Sequence, residues 1–315
     1  MMRSAPAALA TALLLAGCAA IPKAAPPPAA PAPAGHQASP PPARPIHADF
    51  SFEGSFAQGG LVLGRAPGDT RALVLDGKPV AVAPDGRFVI AFDRDAGPTA
   101  TLVATLGSGR IVTRPLTIAM RPWDIERVDV ARTPSMPSAS FEALRKPELQ
   151  RINAARQIDS ATDGWSQHFI WPVRGRISGV FGSQRIYRGE PGVYHSGVDV
   201  APGGSGARVV APADGVVVLA AEKPFTLEGN LVIIDHGMGL NSAFLHLSRI
   251  DVREGQRVKQ GESIGAVGMS GRATGPHLHW AMKWRAARID PQALAGPMPG
   301  YVPVKPPVAT DDGRD

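Results

Sequence analysis

From residue 47 to 121, and again from 169 to 294, apolar and polar positions mostly alternate with a period of two, interrupted by Gly, Asp and Pro, the signature of short half-buried strands. Over 47–121 the runs "GGLVLG", "RALVLDGKPVAVAPDGRFVIAF" and "TATLVATLGSGRIVTRPLTIA" are divided at Asp76-Gly77, Asp85-Gly86 and Gly107-Ser108-Gly109. Such turns need the positive φ that glycine accepts, so the pattern predicts hairpins stacked as a small β-sandwich of roughly immunoglobulin size. That stretch holds no cluster of chemically useful residues and reads as a spacer or binding module. Over 122–168 the alternation stops. Leu149, Ile152 and Ala155 with charges between them predict a short amphipathic helix beginning at or after Pro147, in a partly helical connector. Valine- and isoleucine-rich runs with Gly turns return over 169–294 and predict a compact, mostly antiparallel β domain. The fold class is therefore mainly β.

The strongest alternation lies at the end of that domain, in "GPHLHWAMKW". Leu278, Trp280, Met282 and Trp284 take one face of a strand; His277, His279, Ala281 and Lys283 take the other. Two imidazoles on one face are not a closed metal site, so further ligands must come from elsewhere. "YHSGVDVA" supplies them: His195 and Asp199, four apart, share a face if that segment is extended. Two histidines, one carboxylate and an open position suit a catalytic zinc. The chain has no H-E-x-x-H, so proton handling falls to histidine, whose ordinary pKa suits shuttling near neutrality.

Both ends lack the packing pattern. "MMRSAPAALATALLLAGC" has a basic start, an apolar run too short to span a bilayer, and small residues before Cys18, the single cysteine, so residues 1–17 read as a secretory signal and no intramolecular disulfide exists. Residues 18–46 are a Pro/Ala tract that predicts an extended tether, and 295–315 predict a disordered tail. The net charge of +6 is spread without long basic runs, which argues against nucleic acid as a partner. "VKQGESIGAVG" with Met282-Lys283 has the look of a biotinyl or lipoyl carrier, but the lysine falls within a β run rather than at a hairpin tip.

"HSGVD", "VIIDHGMGLNSAFLHLS" and "GRATGPHLHW" resemble, in order and spacing, the LytM-type zinc metallopeptidases of the M23 family, and the likeness runs from Trp171 to about Pro291. The resemblance implies that His195, Asp199 and His279 bind one Zn2+ per chain, that His246 and His277 are unliganded catalytic histidines, and that the substrate is the cross-linked stem peptides of peptidoglycan. His236, in the turn after a strand, has no metal role in the family. Leu15-Ala16-Gly17-Cys18 resembles a lipoprotein lipobox, implying a lipid anchor at Cys18. Ala19 after it implies the periplasmic face of the outer membrane in a Gram-negative bacterium, where the bond would join D-Ala to meso-diaminopimelate. The alternative is a non-catalytic relative that activates another cell-wall hydrolase, and either kind implies partners among cell-division or cell-wall hydrolase proteins.

Overall fold

The computed structural model describes residues 48–131, 138–221 and 223–300, which fall in one compact unit. The signal segment, Cys18, the tether and residues 301–315 lie outside the described residues. Between Ser51 and Thr117 two antiparallel sheets form. One contains Ser51–Gly54, Leu61–Arg65 and Arg87–Ala91; the other is ordered Lys78–Val80, Thr70–Leu75, Thr99–Leu106, Ile111–Thr117. Asp76 (φ 46°) and Gly77 (φ 75°) both occupy the left-handed region in the two-residue turn between Leu75 and Lys78, as the Asp-Gly pair predicts. Phe88, Ile90 and Leu102 are fully buried between the layers.

The second half is built on a sheet ordered Arg257–Val258, Gly215–Ala220, Asn230–Asp235, Leu240–Leu247, Leu278–Trp284, Val198–Ala201, Arg176–Gly179, with Ala287–Ile289 paired beside Leu278–Trp284. All these pairings are antiparallel. Leu278, Trp280 and Met282 have no exposed surface, as the alternation requires. Burying an apolar side chain of this size contributes about 2 kcal/mol, and a one-residue slip would exchange that whole row for His277, His279 and Lys283, so the register is strongly specified. The apolar row faces a core that continues into the sandwich. The opposite face, carrying the histidines, is covered only in part, by a smaller cluster including Ile152, Ala155, Ile233 and Ala243.

The connector departs from expectation in two ways. Its helix runs Ala139–Ala155, starting eight residues before Pro147 rather than at or after it. Ser138 caps it by accepting from the Phe141 N–H, and the proline removes one interior hydrogen bond that tertiary contacts offset: Ile152 and Ala155 are buried, and Glu148 accepts from the Thr226 N–H at 2.7 Å. Leu149, expected on the apolar face, is 42% exposed. The connector also contains a strand, Ile125–Val128, paired in parallel with Gln184–Tyr187. At the other end, Trp171 donates to the Gly296 carbonyl at 3.0 Å and Met298 is buried, so the chain joins the core past the point where a tail was expected.

Candidate metal centre

Three of the histidine-face residues predicted as ligands meet at one point. Asp199 pairs directly with His279 across the strands Val198–Ala201 and Leu278–Trp284, which puts both side chains on one face. His195 arrives differently from the sequence expectation: it precedes the strand, which begins at Val198, and a bend at Gly197 rather than strand alternation turns it inward. Gly197 is required there, because a Cβ would lie 2.5 Å from the Trp280 carbonyl and 2.7 Å from His279 Nε2. Gly179 makes room on the other side; a Cβ would lie 2.4 Å from Asp199 Oδ2. Neither glycine was singled out from the sequence, although Gly197 stands inside "HSGVD".

The ligand atoms form a tight triangle: His195 Nε2 to Asp199 Oδ1 3.1 Å, His195 Nε2 to His279 Nδ1 3.0 Å, and His279 Nδ1 to Asp199 Oδ1 2.8 Å. Tetrahedral zinc with bonds of about 2.0–2.1 Å places its ligands roughly 3.3 Å apart, close to these edges. The donor chemistry also fits. His195 Nδ1 lies 3.0 Å from the Val180 carbonyl, which only accepts, so the proton sits on Nδ1 and the Nε2 lone pair faces the triangle. Two lone pairs and the His279 Nδ1 position thus converge on a space that a divalent cation would complete.

Burial works to raise the Asp199 pKa, but the His195 and His279 imidazoles in contact with it outweigh that and hold the carboxylate well below its ordinary range. The two imidazoles respond oppositely to that carboxylate. Burial lowers His279, the more enclosed ring at 13% side-chain exposure, despite its bond to Asp199; for His195, at 23%, burial is overcome by Asp199 and the pKa is raised.

His246 and His277 stand beside the triangle, with ring centroids 4.9 Å apart. His277 Nε2 is 3.7 Å from Asp199 Oδ1, and the His246 ring is 6.3 Å from that of His279. Each places Nδ1 on a main-chain carbonyl, Ser270 at 2.9 Å for His246 and Gly275 at 2.8 Å for His277, so each holds its Nδ1 proton there and keeps Nε2 as the acceptor. Burial, reinforced by His277 and His279, keeps the His246 pKa below its ordinary value despite the Ser270 bond. Its backbone is in the left-handed region (φ 63°), a costly conformation for a side chain with a Cβ. The conformation is held by the His246 N–H donating to the Glu228 carbonyl at 2.9 Å. Glu228 is itself gripped by Arg145 of the connector helix through two bonds of 2.6 and 2.7 Å. Nothing local in the sequence signals this support, since Arg145, Glu228 and His246 are far apart in the chain.

His236 is structural. It has no exposed surface, its Nδ1 lies 2.8 Å from the Asp214 carbonyl and its Nε2 2.8 Å from Ser242 Oγ, and burial lowers its pKa to about 4. His168 is exposed and away from the cluster; His36 and His47 lie outside the described residues. Beside the triangle opens a groove of about 880 Å³ bordered by His195, Asp199, Tyr194, Arg185 and Arg272.

Residues 193–291 match the model of peptidase family M23. Among curated proteins, the Vibrio cholerae peptidoglycan DD-endopeptidase ShyA is 39% identical over 131 residues, covering 41% of this chain and 30% of the relative. The Neisseria meningitidis DD-carboxypeptidase/endopeptidase Mpg (strain MC58) is 40% identical over 129 residues, covering 39% and 28%. The chain thus spans less than a third of the length of the curated relatives it matches. A Pseudomonas aeruginosa crystal structure assigned to peptidase M23 superposes with a TM-score of 0.57 at 28% identity, covering 76% of this chain and 94% of that one. The matched segment contains all five histidine and aspartate side chains of the cluster, and the chain carries a peptidase family M23 domain over residues 193–291.

Proposed function

We propose that the chain is a zinc-dependent endopeptidase that hydrolyses the peptide cross-links of peptidoglycan, at the bond between D-Ala and meso-diaminopimelate. The observation that carries this reading is the His195–Asp199–His279 triangle with two further imidazoles beside it, at the edge of an open groove. The names of the relatives support the substrate class. His195, Asp199 and His279 would hold Zn2+, which when bound supplies Lewis acidity and makes water acidic near neutral pH. His246 and His277 accept a proton at Nε2 from the attacking water and return it to the departing amine. His246 suits this because burial keeps it neutral near pH 7. Once protonated, either ring donates toward the oxyanion of the tetrahedral state. The test is hydrolysis of purified cross-linked muropeptides by the metal-loaded protein, with products identified by mass; intact dimers after prolonged incubation would favour the role of a non-catalytic activator.

The same reading places the protein on the periplasmic face of the outer membrane, held by lipid at Cys18 and spaced by the Pro/Ala tether. No helix among the described residues is long and apolar enough to cross a membrane. Cys18→Ser is expected to leave a precursor that is neither lipidated nor matured. A mature-sized, membrane-bound Cys18→Ser product, detected by fractionation and intact mass, would refute the anchor.

A further inference from the structure

A second group of polar side chains lies on the histidine face of the sheet, four residues beyond His279. Cross-strand pairing sets Lys283 beside Asn241 on one side and beside Arg288 on the other, and directly paired residues share a face. The strand rise puts Lys283 about 13 Å from His279. Arg156, the residue that ends the connector helix, comes to the same face, because Ala155 before it packs in the cluster that holds Ala243 and Ala281; with Arg288 it adds to the effect of burial in pulling the Lys283 pKa down to about 8.

Two buried polar atoms in this cluster lack partners among the described residues. Arg156 Nε, a donor, is buried and unbonded, and so is the Oδ1 of Asn241, an acceptor that calls for a donor rather than an anion. Among the described residues neither Arg156 nor Lys283 forms an ion pair, whereas Arg145 and Arg151 of the same helix are both paired. Glu228, the acid that attracts Arg156, is occupied by Arg145. Asp93 accepts from the Arg288 main-chain N–H at 2.8 Å and lies 3.4 Å from the Tyr194 hydroxyl; its charge acts on Lys283 and Arg288, but it forms no ion pair with Lys283 or Arg156. Gathering cations in a half-buried place is unfavourable unless an anion completes the group. The cluster also borders the groove, because Arg288 Nη1 donates to the hydroxyl of Tyr194, a groove residue, at 3.0 Å.

We propose that Arg156, Lys283 and Arg288 form a subsite for a free carboxylate of the substrate peptide, about 13 Å from the bond that is cut. This deepens the peptidase reading and rests on it. That distance spans about four residues of extended peptide, the reach of a stem peptide along the sheet. Guanidinium groups pair with carboxylates through two parallel hydrogen bonds, and the Lys283 ammonium adds a point charge.

Two cross-linked stem-peptide dimers, one with free branch carboxylates and one with them amidated, would be titrated against the full chain by calorimetry and followed for hydrolysis. The free-acid dimer is expected to bind at least tenfold more tightly. Lys283→Met and Arg156→Met should each erase most of that preference, and Lys283→Arg should retain it, with melting curves confirming that each variant is folded. Equal affinity for the two dimers, no binding of the free acid, or a full preference surviving in both methionine variants would overturn the subsite. A clear binding preference without hydrolysis would instead sink the peptidase reading and leave the subsite standing.

Discussion

His277 and His279 come from one strand face, yet their surroundings divide them. His279 Nδ1 is one corner of the ligand triangle, whereas His277 anchors Nδ1 on the Gly275 carbonyl and approaches Asp199 only to 3.7 Å. His279→Ala should therefore lose metal and activity together. His277→Ala and His246→Ala should keep about one equivalent of metal while turnover falls by about a hundredfold or more, the scale of losing a proton-transfer or oxyanion group. Metal analysis beside hydrolysis rates decides it; equal metal loss in all three would refute the division. His236 contributes to acid stability instead. Its pKa falls from 6.5 to about 4 on folding, so between those values the unfolded chain binds a proton that the folded chain does not. The stability it contributes is present above pH 6.5 and is lost as pH falls toward 4, by about 3 kcal/mol in all. Denaturant unfolding across that window should show a shallower decline in His236→Gln than in the wild type.

Among the elements, the helix Ala139–Ala155 lies upstream of the segment matched to the family, yet it reaches the site. Arg145 clamps Glu228, whose carbonyl holds the strained His246 backbone, and Glu148 takes both the N–H and the hydroxyl of Thr226. Arg145→Gln should free that turn, lowering kcat by about tenfold through misplacement of His246 while metal content and the fold persist. Steady-state kinetics with metal analysis would measure this, and unchanged kcat would show that the clamp serves stability alone.

For the molecule as a whole, the two β regions share a core and a polar seam. Arg121 Nη1 meets Asp290 at 2.9 Å, the Asp290 N–H donates to the Gly59 carbonyl at 2.8 Å, and Arg94 donates to the Gly182 carbonyl at 3.0 Å. The Asp290 side chain is 6% exposed, and burial raises its pKa despite Arg121. Arg121→Ala should cost about 1–3 kcal/mol, below the full value of a buried pair because Arg121 itself is 36% exposed. The exposed pair Arg188–Asp129 offers the control: Arg188→Ala should change stability by less than about 1 kcal/mol. Chemical denaturation of both variants tests the contrast.

The amino-acid sequence by itself determined the faces of the strands, the Asp-Gly turn after Leu75, and which residues could bind metal, because alternation, positive φ and ligand chemistry are local properties. The motif spacing also carried the family. Only the tertiary structure decided that Asp199 sits opposite His279 across 80 positions, that Gly197 rather than an extended strand aims His195, and that a helix can run through Pro147. It alone brought Arg145 to the turn that holds His246, and the helix end at Ala155 and Arg156 to the sheet face that carries Lys283. Register between distant strands and the seating of a helix are set by which apolar rows bury together, and that choice involves the whole core at once.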